Sequence, residues 1–253
     1  IRSDSITQFM SGASYVLHCA AYKHVFFGEN NPDELKDVNL DGLQNLIKAA
    51  IHNNVVKFIF TSSDKAVNPT STMGVTKLLG ERIVSAADRL SETVFSTVRF
   101  GNVIGSSGSV YEIFYNQIQE KEKMTLTHED MSRFIMSKRE AADLVLRSAE
   151  IGVGGEVMVT KMPVLLIKDL GLAMHGLFSE VLSDDVFEIT GGMSEEKIFE
   201  ELLTNEEASR AVDCDDFYVL HSDKAKIQPS MKIANADYAG YRSDTEEKMT
   251  ISE

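Results

Sequence analysis

The sequence has 253 residues, 43% of them hydrophobic and 25% charged, which excludes whole-chain disorder and suffices for one large core or two smaller ones. Thirty-nine acidic residues against 25 basic ones leave a formal charge of -14, and that repulsion argues against nucleic acid as a partner. Two cysteines in no CxxC spacing, no run of about 18 uncharged apolar residues and no signal-like start exclude a disulfide scaffold, a zinc site and a membrane span in this segment, and imply a cytoplasmic protein.

Ser14 to His18 is a short apolar run, and from Asp33 to His52 apolar residues recur at helical spacing (Leu35, Val38, Leu43, Leu46, Ile47), so strand then helix is expected. The alternation repeats. Val56 to Thr61 reads as strand, Met73 to Leu90 as helix, Val94 to Phe100 as strand and Ser109 to Lys121 as helix. A helix over Arg139 to Glu150, a glycine-rich turn at 152 to 155, a strand over Glu156 to Thr160 and a helix over Leu166 to Phe178 follow. Ser194 to Leu203 reads as a charged amphipathic helix, and the chain after Asn205 as a loosely packed, acidic end. Residues 184 to 253 hold 18 acids and 7 bases, against 21 and 18 in residues 1 to 183, so the acidic excess belongs to this end.

Strands of continuous apolar character separated by helices specify an α/β fold with a parallel sheet, whose ligands sit beyond the carboxyl ends of the strands. Two stretches lie there. Residues 60 to 77 carry Ser63, Asp64, Lys65 and Lys77, a hydroxyl, a carboxylate and two amines compatible with proton transfer. On spacing alone the favoured reading is Asp64 and Lys65 as a surface pair, with Asn68-Pro69 as a turn ahead of the helix. Residues 98 to 109 present Gly101, Gly105, Ser106, Ser107, Gly108 and Ser109 ahead of a helix, as an anion site or as a plain loop. Methionines 124, 131 and 136 read as core filler and His18 as a packed histidine; no metal site is expected.

Ala20 to Val25, Glu29-Asn30-Asn31-Pro32, Val38-Asn39-Leu40-Asp41-Gly42, Ser63 to Pro69, Arg99 to Val103 and Asp130 to Phe134, in this order and separation, resemble the polysaccharide-biosynthesis branch of the extended short-chain dehydrogenase/reductases. A fainter echo is Tyr241-Arg242-Ser243-Asp244. That resemblance implies a Rossmann-like parallel sheet, with its first strands and glycine-rich loop missing from this sequence, and a smaller mixed α/β substrate-binding part. It implies residues 1 to 103 as the cofactor side and 104 to 253 as the substrate side, with 139 to 160 returning to the sheet. The activity implied is nucleotide-sugar 4,6-dehydration, in which NADP (or NAD) takes hydride from C4 of UDP-N-acetylglucosamine, water leaves across C5 and C6, and the hydride returns to C6. Epimerisation at C5 can accompany it.

Carried over residue by residue, Asp64 is the acid for the departing 6-hydroxyl, Lys65 the C5 base, and Lys77 orients the nicotinamide ribose. Ala20, Lys23 and Asn39 match the cofactor side; Asn102, Ser107 and Arg133 match positions near the UDP-sugar. Three departures stand out. Met73 occupies the place of the usual tyrosine, and a thioether cannot be a general base, so Ser63, helped by Lys77, is expected to take the C4 hydroxyl proton. Met193 stands where an arginine would hold the diphosphate. The glycine-rich dinucleotide turn is not among these residues, which reads as a fragment of a longer enzyme with unpaired sheet edges and little cofactor affinity of its own. Nucleotide-sugar 4-epimerisation and a non-catalytic sugar-nucleotide-binding module remain open beside dehydration; a homo-oligomer is implied by the family.

Overall fold

The computed structural model describes residues 3–179, 185–192, 195–214, 216–221 and 240–251. The chain forms two compact units, one of Ile1–Phe100, Ala142–Lys161 and Glu201–Tyr241, the other of Gly101–Ala141, Met162–Glu200 and Arg242–Glu253.

The first unit is built on a six-stranded sheet. Tyr15–His18, Lys57–Ser63, Val94–Phe100 and Glu156–Thr160 lie side by side in parallel, and Phe217–His221 and then Val212–Cys214 extend the sheet antiparallel. The second and third strands are buried across nearly their whole length, as befits strands covered on both faces. Helices Gly42–His52 and Thr72–Asp88 supply Leu43, Ile47 and Val84 to a core with Phe58, Phe60 and Phe95. The α/β class and its parallel sheet are those expected from the sequence.

The helix expected over 33 to 52 is broken into Pro32–Lys36, a π-helical turn Asp37–Asp41 and Gly42–His52. That turn buries Asn39, whose amide makes three hydrogen bonds described below and so stabilises an otherwise unfavourable geometry.

Two expectations for the C-terminal region are corrected. Ser194 lies outside the described residues, but 195 to 200 are irregular with a turn and a bend and Glu201–Leu203 is a strand, not a helix. The backbone groups a helix would use are taken elsewhere: Arg133 binds the carbonyls of Lys197 and Ile198, and Ser243 binds Glu200 through both its backbone N–H and its hydroxyl. Nor are the described residues after Asn205 loosely packed, because Phe217–His221 is an inner strand of the sheet, buried at four of its five residues.

In the second unit, Asn102–Val103 runs parallel to Ser132–Met136, which pairs antiparallel with Val164–Leu166, while Met124–Leu126 pairs in parallel with Phe187–Ile189. Helices Val110–Gln119 and Ile167–Phe178 cover a core of Phe114, Met124, Leu126, Met131, Ile135 and Met174. Methionines 124, 131 and 136 are buried, as expected of core filler. No helix among the described residues is long and apolar enough to cross a membrane.

Candidate functional site

Strand Lys57–Ser63 ends in a tight 3-10 turn, Asp64–Ala66, capped by the Ser63 side chain, which accepts from the Lys65 N–H at 3.3 Å. The turn folds two donors onto one carboxylate oxygen. Ser63 Oγ donates to Asp64 Oδ1 at 2.7 Å, and Lys65 Nζ donates to the same oxygen at 3.1 Å. The Asp64 side chain is fully buried, so the pair with Lys65 is no surface ion pair. Its second oxygen, Oδ2, is buried without a hydrogen-bond partner among the described residues, an arrangement that leaves an acceptor for a bound hydroxyl.

The following helix, Thr72–Asp88, is fixed at its start twice. Ser71 accepts from the Gly74 N–H at 3.2 Å, and the Glu29 carboxylate accepts from the Thr72 N–H and hydroxyl at 2.6 and 3.0 Å. Gly74 is required by its surroundings, since a Cβ there would stand 2.2 Å from the Lys65 carbonyl oxygen. The helix is thus seated directly against the turn that carries Asp64 and Lys65.

One turn further, Lys77 is buried and donates to the Thr61 carbonyl at 2.8 Å, with its ammonium 4.9 Å above the Phe60 ring. Burial lowers its pKa to about 8, against weaker support from Cys19 and Glu81. The bond from Ser63 therefore goes to Asp64, while Lys77 is anchored to the backbone of Thr61. Met73, buried in the same helix, stands where the usual tyrosine was expected.

Ala20 and Lys23 lie in the exposed, irregular segment after the first strand, at its carboxyl end. Asn39 reaches that segment from the π-helical turn: Oδ1 accepts from the Tyr22 N–H at 2.8 Å, and Nδ2 donates to the Tyr22 carbonyl at 3.0 Å and to Thr76 Oγ1 at 3.1 Å. Both its N–H groups are committed, so Asn39 shapes the turn holding Ala20 and Lys23. His18 is buried, stacked on Phe60 with ring centroids 5.7 Å apart, and burial, then Lys77, lowers its pKa to about 4.

In the second unit Asn102 opens a short strand paired with Ile135, and Ser107 is exposed in the turn between Gly105 and Gly108, both at positive φ. Gly101 lets the strands approach, a Cβ there falling 2.6 Å from that of Phe134. Arg133 is buried with Nη1 on the carbonyls of Ser132 and Ile198 and Nη2 on that of Lys197, at 2.8 to 3.1 Å, and Glu196 and Glu200 stand 3.9 and 4.0 Å away. Its geometry is that of a clamp on residues 196 to 200. Met193 lies outside the described residues.

Sequence reasoning quoted Arg99 in a motif but gave it no role of its own. Its fully buried guanidinium is bonded by Glu81 at 2.7 and 3.0 Å, by Glu207 at 3.0 and 3.1 Å and by the Leu202 carbonyl at 2.9 Å, while Ser62 donates to Glu81 at 2.6 Å. Burial opposes the Arg99 charge, but the two carboxylates more than offset it and hold the group protonated beyond its ordinary range. An arginine inside an otherwise apolar strand run was the available signal.

A family profile described as polysaccharide biosynthesis protein matches residues 1–222. An uncharacterized membrane protein of Methanocaldococcus jannaschii is 40% identical over 228 residues, covering 86% of this chain and 68% of the relative. A UDP-glucose 4-epimerase of Rickettsia bellii is 36% identical over 253 residues, 99% of this chain and 71% of the relative. Among solved structures, Pen from Bacillus thuringiensis superimposes with a TM-score of 0.90 at 40% identity, covering 99% of this chain and 76% of that one.

Proposed function

Since this chain belongs to the polysaccharide biosynthesis protein family, we propose that it carries the chemistry of a nicotinamide-dependent nucleotide-sugar 4,6-dehydratase acting on UDP-N-acetylglucosamine. The observation that carries this reading is the convergence of Ser63 and Lys65 on the buried carboxylate of Asp64 at the end of a parallel strand. Elimination of water across C5 and C6 needs an acid for the departing oxygen and a base for the C5 proton; Asp64 and Lys65 are the groups for those two tasks.

The donor set fits a nicotinamide cofactor and a sugar hydroxyl. After bonding Thr61 the Lys77 ammonium keeps two N–H groups, enough for ribose hydroxyls, and the orphaned Asp64 Oδ2 is an acceptor awaiting a ligand donor. When bound, NADP or NAD supplies the two-electron acceptor for C4 and returns the pair at C6. Ala20, Lys23 and Asn39 form or shape the cofactor side. Asn102 and Ser107 are read on the UDP-sugar side, with Arg133 there to position residues 196 to 200.

A second reading is 4-epimerisation, favoured by the name carried by the Rickettsia relative. It needs oxidation and reduction at C4 but no acid and base for elimination. The deciding experiment follows the full-length enzyme with cofactor and UDP-N-acetylglucosamine by proton NMR. A 6-methyl signal with solvent deuterium entering C5 is expected; appearance of the C4 epimer without a methyl signal would replace dehydration by epimerisation. Asp64→Asn should lower the dehydration rate by about 10² to 10⁴.

A further inference from the structure

A serine can take a proton from a substrate hydroxyl only if it passes its own proton on, because an alkoxide is far too basic to form at neutral pH. The Ser63 hydroxyl has one hydrogen and two lone pairs. Its hydrogen lies on Asp64 Oδ1 at 2.7 Å and one lone pair accepts the Lys65 N–H at 3.3 Å, which leaves one lone pair for an incoming hydroxyl. Lys77, the other candidate to relieve Ser63 of a proton, is tied to the Thr61 carbonyl. Asp64 is fully buried, so a proton placed on it is not handed directly to water.

We propose that Ser63 relays the C4 hydroxyl proton to Asp64, and that this same proton is the one Asp64 later delivers to the departing 6-hydroxyl. The inference rests on the dehydratase reading and assigns the acid's proton a source within the substrate. Its atoms balance. As the C4 O–H bond breaks, Ser63 Oγ gains that proton and gives its own to Asp64 Oδ1. The C4–H electron pair goes to the nicotinamide, so C4 is oxidised by two electrons and the cofactor reduced. Asp64, now a neutral carboxyl, protonates the 6-oxygen as the C6–O bond breaks, and water leaves carrying it. Lys65, entering the step as a neutral amine, takes the C5 proton as water leaves and, after exchange with solvent, gives a proton back to C5 as the electron pair goes to C6. The carboxylate is regenerated with no proton drawn from bulk water.

The relay also accounts for a site without the tyrosine. A serine hydrogen-bonded to the elimination acid passes the C4 proton to the group that needs it next. Met73, buried in the helix that follows, is then inert packing.

The test uses the full-length enzyme loaded with nicotinamide cofactor and the 6-deoxy analogue of UDP-N-acetylglucosamine, which can be oxidised at C4 but has no 6-hydroxyl to expel. Two quantities are read: the equilibrium fraction of reduced nicotinamide as a function of pH, and the carboxyl bands of isotope-labelled aspartate by infrared difference, with Asp64→Asn as the blank. If the proton stays on Asp64, the reduced fraction is constant across neutral pH and a neutral carboxyl band appears with the analogue, whereas the cofactor-free chain shows Asp64 as carboxylate alone. If the proton goes to bulk, the reduced-to-oxidised ratio climbs about tenfold per pH unit, and the relay is overturned. A neutral Asp64 in the cofactor-free chain overturns it as well, because such a group cannot accept. Ser63→Ala should abolish reduction of the nicotinamide by the analogue while leaving the infrared spectrum of the cofactor-free chain with an ionised Asp64; undiminished reduction in that variant also refutes the relay. Wild-type enzyme that oxidises the analogue but yields no 6-deoxy-4-keto sugar from the natural substrate sinks the dehydratase reading and the second use of the proton, and leaves the first transfer, from C4 to Asp64, to be judged on the pH and infrared data.

Discussion

Replacing Gly74 by alanine tests the seating of the catalytic turn on its helix. The new Cβ would lie 2.2 Å from the Lys65 carbonyl oxygen and 3.0 Å from the Pro69 Cβ, and carbon atoms essentially never approach backbone closer than 3.0 Å. The obstacle is backbone on both sides, a helix start held by Ser71 and Glu29 and a 3-10 turn held by Ser63, so no side chain can swing away. The Asp64–Lys65 turn must retreat by nearly 1 Å, and overpacking of this kind costs about 1–3 kcal/mol. Misplacing groups that act on a substrate by about 1 Å lowers rate by about 100-fold. Urea unfolding gives the first quantity and turnover of the nucleotide sugar the second. Gly176→Ala is the control: it lies exposed in helix Ile167–Phe178 with nothing within 4 Å of the new Cβ, and it should gain about 0.5–1 kcal/mol. A Gly74→Ala protein with the wild-type urea midpoint and wild-type turnover would show that the turn is not held as described.

Arg99→Met leaves Glu81 and Glu207 buried without their cation and should cost about 3–5 kcal/mol in urea unfolding, whereas converting Arg99, Glu81 and Glu207 together to apolar residues of similar volume should recover most of it; equal losses in both proteins would rule out the charge argument. His18 has its folded pKa lowered from 6.5 to about 4, so the unfolded chain binds the extra proton between those values. Stability is therefore full above pH 6.5 and falls as pH drops toward 4, by about 3 kcal/mol from this group. His18→Phe should flatten that part of the stability–pH curve, and an unchanged slope would refute the assignment.

Much of the first unit was legible because its strands are buried on both faces, so Val56 to Thr61 and Val94 to Phe100 are rich in apolar and β-branched residues on both faces and announce themselves in the sequence. Ser63, Asp64 and Lys65 were legible as residue types at a strand end. What could not be read was that Ser63 and Lys65 share one oxygen of Asp64, since a 3-10 turn and a surface turn have the same composition. The stretch 194 to 203 misled because its charges and apolar residues alternate as in a helix, while the decision lay with Arg133 and Ser243, distant in sequence, which take its backbone groups. Phe217 to His221 is as plain a strand signal as the others, masked by an acidic neighbourhood that suggested a solvated tail.

Glu207 takes part in two structures at once. It closes the capping box of the short helix Asn205–Ala208 with Thr204, and it is one of the two carboxylates on Arg99. Local and long-range order therefore share a single side chain: the helical turn cannot fray without stripping a counter-charge from the buried arginine, and the arginine cannot be satisfied until the turn has formed. Amide hydrogens of residues 204 to 209 would accordingly exchange only through an opening that also unseats Arg99, rather than with the ease usual for a four-residue surface helix. A protease cut between Leu203 and Glu207 would break both at once, making this short helix a latch on the sheet's buried charge.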